Sequence, residues 1–497
     1  MTRQQAGAAV TIVDLRANID PSYYRLLTGQ ERGKLSETFM ARRPSVEERL
    51  AAGKALREKV PRSAHATYDK RADRVDPIDI LEKQNAGRIQ KLVPVRYARM
   101  LVSPFAFLRG SAAVMVDDLS RTPISGLAVA ACGDMHVANF GVYASAERNL
   151  IFAINDFDEV HPGPWEWDLK RLAASAVVAT RFMGGDKAET EAAARACVES
   201  YRKRMRRYAE MSYLEVWYDT IDEREMLDAL SARVRRNAER AIAKARAKGH
   251  IRSLDKLTER VNGEPRIVED VPLIVRETHT ERGAPVREAL NGMLGAYLDS
   301  LSVDRRRLLA RYRLVDAARK VVGVGSVGTA CWVLLLQGVD EDDPLFLQVK
   351  EAKESVLAPY VDLPRVSTNH GHRVVIGQRA TQGSPDIFLG WGEAEGKHFY
   401  VRQLADMKGS ATFVEGDDEG IGHFIEYFGL CGWALALAHA KSGDPAMIAG
   451  YCGNSAALDD AITKFALAYA KQTEQDHAQL DKARRAGRIT AAAGKVV

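Results

Sequence analysis

The residues with the most chemical potential lie in one stretch, CGDMHVANFGVYASAERNLIFAINDFDEVHPGPWEWDLKRL, from Cys132 to Leu172. It concentrates Asp134, Glu147, Asp156, Asp158, Glu159 and Asp168 with Asn139 and His136. Apolar strand-like runs, AVAAC before and NLIFAI within, frame these groups. Carboxylates at the ends of short apolar runs are how a fold presents metal ligands and bases on rigid supports. Phosphoryl transfer asks for a carboxylate at the acceptor hydroxyl, acids or amides on a metal, a cation on the phosphates and a backbone cradle. This stretch offers the first two.

The remaining groups stand far downstream. Gly323, Gly325, Ser326, Val327 and Gly328 fall in KVVGVGSVGTACWVLLLQ, a GxGxxG between two strand-like runs. Before a helix that pattern suggests a dinucleotide site; before a strand it suits a glycine loop whose amides approach phosphates. FLQVKEA follows, placing Lys350 at a strand end with Glu354 as first and Glu351 as second candidate carboxylate partner. Arg379, after the apolar run VVIGQ, fits either a braced ion pair or a phosphate contact. HFYVRQL ends the strand-rich part, and Arg402, Gln403 and Leu404 are the expected backbone contact for an adenine.

Asp134, then Asn139 five residues on, then a hairpin ending at Asp156, is the catalytic-loop layout of protein-kinase-like folds. The string GD-x-H-x-x-N…NDFD resembles the small-molecule branch of that superfamily, the aminoglycoside and choline kinases. The resemblance implies Asp134 as catalytic base with His136 beside it. It implies Asn139 and Asp156 as magnesium ligands, Asp158 as a second metal ligand or loop organiser, and Asp168 as a brace for the catalytic-loop backbone. Loop-capping acids in an unrelated fold are the plain structural alternative. Because the glycine loop follows the catalytic loop, the expected fold is α+β, kinase-like, two-lobed and circularly permuted, a rearrangement tolerated at exposed loops.

These groups need a scaffold, and the chain of 497 residues is long enough for two lobes. Residues 1–60 are expected as a peripheral arm with one or two short helices. A helical catalytic lobe follows over 61–315, then a β-rich nucleotide lobe over 316–410, then helices over 411–497 completing the helical lobe. Within the β-rich part, KVVGVGSVGTACWVLLLQG, DEDDPLFLQVKEA, HRVVIGQRA, IFLGWG and HFYVRQL read as five strands of an antiparallel sheet. Helices are expected from Asp76 to Pro104 and, with Phe107, Ala112, Met115 and Leu119 on one face, from Phe105 to Ser120.

Composition sets outer bounds. Hydrophobic residues make up 46% and charged residues 28%, as in ordinary globular proteins. The net charge of +5 is a small excess of 71 basic over 66 acidic residues, which permits an anionic ligand without pointing to nucleic acid. The five cysteines show no CxxC pairing, fitting a reducing compartment with neither disulfide nor zinc site. The start lacks a long apolar run and no segment is apolar over membrane-spanning length, so a cytoplasmic protein is expected.

The strings SPFAFLRG, CGDMHVANFG, NDFDEVHPGPWEWDLKRLAAS, VGSVGT, QVKEA, GQRATQ, YVRQLADMKG and LAHAKSGD resemble the bacterial domain of unknown function 2252 over roughly residues 35–480. That family implies no substrate. ATP and magnesium are therefore expected from the motifs alone, with an unidentified small-molecule or protein acceptor. Transfer of phosphate is the leading expectation. Nucleotidyl transfer from the same site, a nucleotide-binding pseudokinase, and a metal hydrolase using Asp134, His136, Asp156 and Asp158 are the alternatives.

Overall fold

The computed structural model describes residues 11–15, 35–68, 72–246, 254, 257–280, 283–340, 342–363, 367–404, 407–415 and 421–493. Part of the expected N-terminal arm lies outside these residues. Helix makes up 52% and strand 17%, and both larger sheets are antiparallel, giving an α+β architecture.

The helical part is organised around one buried helix. Its longer elements, in chain order, are α1 (Val46–Lys59), α2 (Pro77–Asn85), α3 (Val93–Met100), α4 (Pro104–Gly110) and α5 (Ala112–Leu119). Then come β1 (Ala128–Ala131), the hairpin β2 (Phe140–Ala144) and β3 (Leu150–Ile154), β4 (His161–Pro164), α6 (Trp165–Phe182), α7 (Lys187–Glu210) and α8 (Ala232–Arg246). Helix α6 is buried all round, charged residues included, so it is a core helix rather than an amphipathic one. Its buried charges Glu166 and Lys170 are hydrogen-bonded to neutral groups: Glu166 Oε1 accepts from the Ser125 amide at 2.6 Å and Lys170 donates to Thr122 Oγ1 at 2.9 Å.

The sheet lobe comprises β5 (Ile274–Val275), α9 (Val286–Ser300), β6 (Arg313–Lys320), β7 (Cys331–Gln337), β8 (Pro344–Ala352), α10 (His370–Thr381), β9 (Gly390–Ala394) and β10 (Lys397–Gln403). The six strands run in the order β9-β10-β8-β7-β6-β5. One sheet face, with Trp332, Leu334, Leu347, Val349 and Val401, packs with Met293 and Tyr297 of α9. Lys350 and Tyr400 are paired across β8 and β10 on the opposite face. The chain then returns to the helices as α11 (Gly422–Ser442), α12 (Pro445–Cys452) and α13 (Ala457–Arg485).

Close backbone packing ties the chain ends to this core. A Cβ on Gly432 of α11 would lie 2.1 Å from the Cys197 carbonyl of α7, and one on Gly53 of α1 would lie 2.0 Å from the Met447 carbonyl of α12. Thus α1, expected at the periphery, is packed on α12.

The sequence expectations need correction at two places. HRVVIGQRA is not a strand but helix α10. Asn369 caps it by accepting from the His372 amide at 3.0 Å, and Arg373, Gly377 and Thr381 recur on one buried face. That tertiary face outweighs the β propensity of Val374, Val375 and Ile376. The two long helices expected before the catalytic stretch are also broken. The first divides into α2, a short 3-10 turn at Gln90–Leu92 and α3; the second divides between Gly110 and Ser111, where the Met100 side chain fills the space of a Gly110 Cβ at 2.6 Å.

Candidate functional site

Residues 132–139 form a turn between β1 and the β2–β3 hairpin, held from beneath by α6. Asp168 accepts from the amides of Cys132 at 2.6 Å and Gly133 at 2.9 Å, and His439 of α11 lies 3.3 Å from its carboxylate. Ser175 Oγ accepts from the Val137 amide at 3.0 Å, and Tyr427 donates to the Val137 carbonyl at 2.8 Å. Gly133 sits at φ 71°, a left-handed conformation that turns the chain sharply out of β1. This rigid bed positions Asp134.

Asp134 is paired with Arg171, whose Nε donates to Oδ1 at 3.1 Å and whose Nη2 reaches the same oxygen. Burial nevertheless dominates and pushes the carboxyl up to about 7, against the lowering by Arg171. His136 Nε2 lies 3.9 Å from Asp134 Oδ2, and burial drives this imidazole well below its ordinary pKa. Asn139 Nδ2 donates to the Asp134 carbonyl at 2.7 Å, so the asparagine locks the turn.

Across the cavity, Lys350 of β8 forms an ion pair with Asp158 and lies 3.7 Å from Asp156. Tyr400 donates to Asp158 Oδ1 at 2.8 Å and Ser326 of the glycine loop donates to its Oδ2 at 3.0 Å. Burial and the neighbouring Asp158 raise the Asp156 carboxyl, whereas Lys350 and Tyr400 hold Asp158 below the usual range despite its burial. Such a divided pair of acids is typical of functional sites. Glu351 and Glu354 line the same cavity, but the carboxylates on Lys350 are Asp158 and Asp156, not the glutamates expected from sequence. Glu351 instead accepts from the Ala330 amide at 2.8 Å, bracing the strand beyond the glycine loop.

The glycine loop closes down on the turn that carries Asp134. A Cβ on Gly325 would lie 3.2 Å from the Arg109 carbonyl and 3.6 Å from Asp134 Oδ2. Gly323 at φ 60° and Gly328 at φ 88° shape the loop, and Arg88 Nη1 donates to the Val327 carbonyl at 2.6 Å. The cavity enclosed by the loop, Asp134, Asn139, Asp156 and Asp158 measures about 150 Å³. Pockets that bury a drug-sized ligand measure about 300–1,000 Å³, so this cavity is smaller than such a site.

Helix α10 joins the lobes at this point. Arg373 donates to the Asp158 carbonyl at 2.7 Å and the Lys353 carbonyl at 2.8 Å, and Gln382 donates to the Ile154 carbonyl at 2.8 Å. Arg379 donates to the Leu389 carbonyl at 2.6 Å, so it braces a loop and, among the described residues, neither forms an ion pair nor lines the cavity.

The segment at Arg402–Leu404 differs from expectation. The Gln403 amide donates to Asp386 and the Leu404 amide to the Phe346 carbonyl at 3.0 Å, so neither is free for a base. Arg402 instead links the lobes through the Asn155 carbonyl at 2.8 Å and Gln348 Oε1 at 3.1 Å. Ile267, with Leu254 and Leu257, covers Val333, Leu335 and Phe346 on the adjoining sheet face. A wider hollow of about 530 Å³ lies beside Tyr143, Asp386 and Arg402, but neither Asp134 nor the glycine loop lines it.

Sequence reasoning missed Arg171, Tyr400 and Arg373, and it missed the basic wall of the cavity formed by Arg88, Arg96 and Arg109. Arg171 had a signal: three residues after Asp168, it shares the helix face that meets the turn that carries Asp134.

Among the described residues no three His, Cys, Asp or Glu side chains converge as a metal cage. Magnesium is commonly held by one or two carboxylates with substrate phosphates and water. The desolvated Asp156 and Asp158, which repel each other, fit that demand.

Residues 88–483 match the family model described as an uncharacterized protein conserved in bacteria, DUF2252. The chain belongs to the DUF2252 family. No curated protein and no solved structure matches it. Among the described residues of this family member no helix is long and apolar enough to cross a membrane, and all five cysteines are free and buried.

Proposed function

We propose that this DUF2252 protein is an ATP- and magnesium-dependent phosphotransferase with a circularly permuted, kinase-like fold. The observation that carries it is convergence: Lys350 and Ser326 from the sheet lobe meet Asp158 from the helical lobe, with Asp134 in the same cavity. The order glycine loop, strand, lysine strand, helix, two strands supports the kinase-like assignment, as kinases carry the phosphate-binding lysine on the third strand. Arg373 on α10 departs from that pattern, because the corresponding kinase helix supplies a glutamate to the lysine. Here Asp158 takes that part.

Lys350 and the loop amides at 323–328 hold the phosphates. Asp156 and Asn139, with Asp158 beside them, would hold magnesium, which would offset charge on the phosphate oxygens. Asp134, poised near neutral pH, orients the acceptor hydroxyl and takes its proton, while Arg171 and Asp168 fix where that carboxylate points. Positioning and electrostatics supply most of the rate.

The test is Asp134→Asn with ATP labelled at the α or γ position. Wild type releases or transfers γ-label in a magnesium-dependent reaction, and the variant loses about a hundredfold or more while still binding Mg·ATP. Transfer of α-label instead assigns nucleotidyl transfer. Full activity in the variant removes Asp134 as the base.

A further inference from the structure

The cavity has a second charged wall that the phosphotransferase assignment leaves without a role. Arg88, Arg96 and Arg109 line it, delivered by the broken helices between α2 and α4. Several other cations of this protein have carboxylates: Arg74 pairs with Asp118 and Asp476, Arg171 with Asp134, Lys350 with Asp158, whereas Arg373 is bonded to carbonyls alone. These three have no carboxylate within ion-pair distance among the described residues.

Their bonds go to neutral groups. Arg88 reaches the Val327 carbonyl at 2.6 Å, Arg96 donates to Gln84, Asn85 and the Gly110 carbonyl, and Arg109 rests on the Phe105 ring at 5.8 Å. The Nε of each is buried with no partner. Burial lowers all three guanidinium pKa values from the ordinary value, and the acids that act back on them, Asp134 on Arg109 and Glu159 and Asp158 on Arg88, do so from beyond contact. A buried, unpaired charge is costly, and a cluster of them is more so, unless an anion joins it. Guanidinium forks match the oxygens of phosphate and carboxylate. The Arg109 carbonyl faces Gly325 of the loop beside Asp134, and its guanidinium charge acts on both Asp134 and His136.

We propose that Arg109, with Arg88 and Arg96 behind it, forms an oxyanion subsite that holds a phosphate or carboxylate group of the acceptor beside Asp134. The acceptor is then an anionic hydroxyl compound. This assignment rests on the phosphotransferase reading. It places the acceptor's charge where the arginine wall meets the glycine loop, on the Asp134 side of the cavity.

The experiment uses the full chain saturated with magnesium and a non-hydrolysable ATP analogue, titrated calorimetrically with inorganic phosphate and with malonate. At least one anion binds wild type. Arg109→Gln weakens it by about tenfold or more, the scale of one charged hydrogen bond, while the analogue's affinity stays within about twofold. Arg109→Lys, which keeps the charge but not the fork, falls between and shows that the site still folds. Preference for phosphate assigns a phosphorylated acceptor and preference for malonate a carboxylated one. Failure of both anions to bind, no effect of Arg109→Gln, or equal weakening of the analogue overturns the proposal. If the analogue does not bind wild type, the phosphotransferase reading fails separately; the anion titration of the nucleotide-free protein still reads whether Arg109 holds an oxyanion.

Discussion

Replacing Lys350 by Met tests whether the two lobes are held together at the acids. The Lys350 side chain is 3% exposed, and its partners Asp158 and Asp156 are 23% and 34% exposed. Met matches the aliphatic stem but leaves like charges facing each other beside Tyr400. Breaking a buried pair costs about 3–5 kcal/mol, and partial exposure of the carboxylates argues for the lower end, about 3 kcal/mol. At about 2 °C per kcal/mol for a large chain, the melting temperature falls by roughly 6 °C.

The sign of the pH dependence follows from both partners. Lys350 is raised above its ordinary pKa, so its contribution is full at neutral pH and lost only above the lysine range. Asp158 is lowered, so its contribution is present above the ordinary carboxylate range and lost as pH falls through its own value. The difference between wild type and variant is therefore flat from about pH 6 to 9 and narrows in acid. Calorimetric scans at fixed rate measure it, with Lys350→Arg as the charge-retaining control. A Lys350→Met protein that melts within about 1 °C of wild type refutes the pairing.

Transfer activity rises with pH to about 7 and levels above it, because Asp134 must be ionised to act as base. Arg171→Gln removes the cation that opposes desolvation and moves that profile up by about one pH unit, read from initial rates. Asp168→Ala leaves the Cys132 and Gly133 amides without their acceptor; stability drops by about 3 kcal/mol, and hydrogen exchange at 132–139 accelerates. Gly328→Ala forces a side chain into φ 88° with Arg88 Cβ 3.0 Å away, costing about 1–2 kcal/mol or more and exposing 323–328 to limited proteolysis.

The grouping of Asp134, Asn139, Asp156 and Asp158 around one cavity was legible in sequence because one local hairpin brings them together. Asp168 was legible for the same reason, lying one strand further on. The partner of Lys350 was not: it is chosen by how β8 docks on the hairpin end, and nearby Glu351 and Glu354 are decoys of sequence proximity. Helix α10 was obscured by a Val-Val-Ile run, although Asn369 and the spacing of Arg373, Gly377 and Thr381 carried the helical signal. The amides at Gln403 and Leu404 are claimed by Asp386 and Phe346, a tertiary fact without a local trace. Arg88, Arg96 and Arg109 stand on separate turns, and only the breaks before Arg88 and after Arg109 turn them toward one cavity.

The central claim is that one nucleotide site is assembled from the turn at 134–158 and the lobe carrying Lys350. Calorimetric titration of ATP, with and without magnesium, into wild type, Lys350→Met and Asp156→Asn tests it directly. Wild type binds ATP with magnesium enhancement, Asp156→Asn loses that enhancement, and Lys350→Met weakens binding by about tenfold or more. Absence of ATP binding, or binding indifferent to magnesium and to both substitutions, contradicts it.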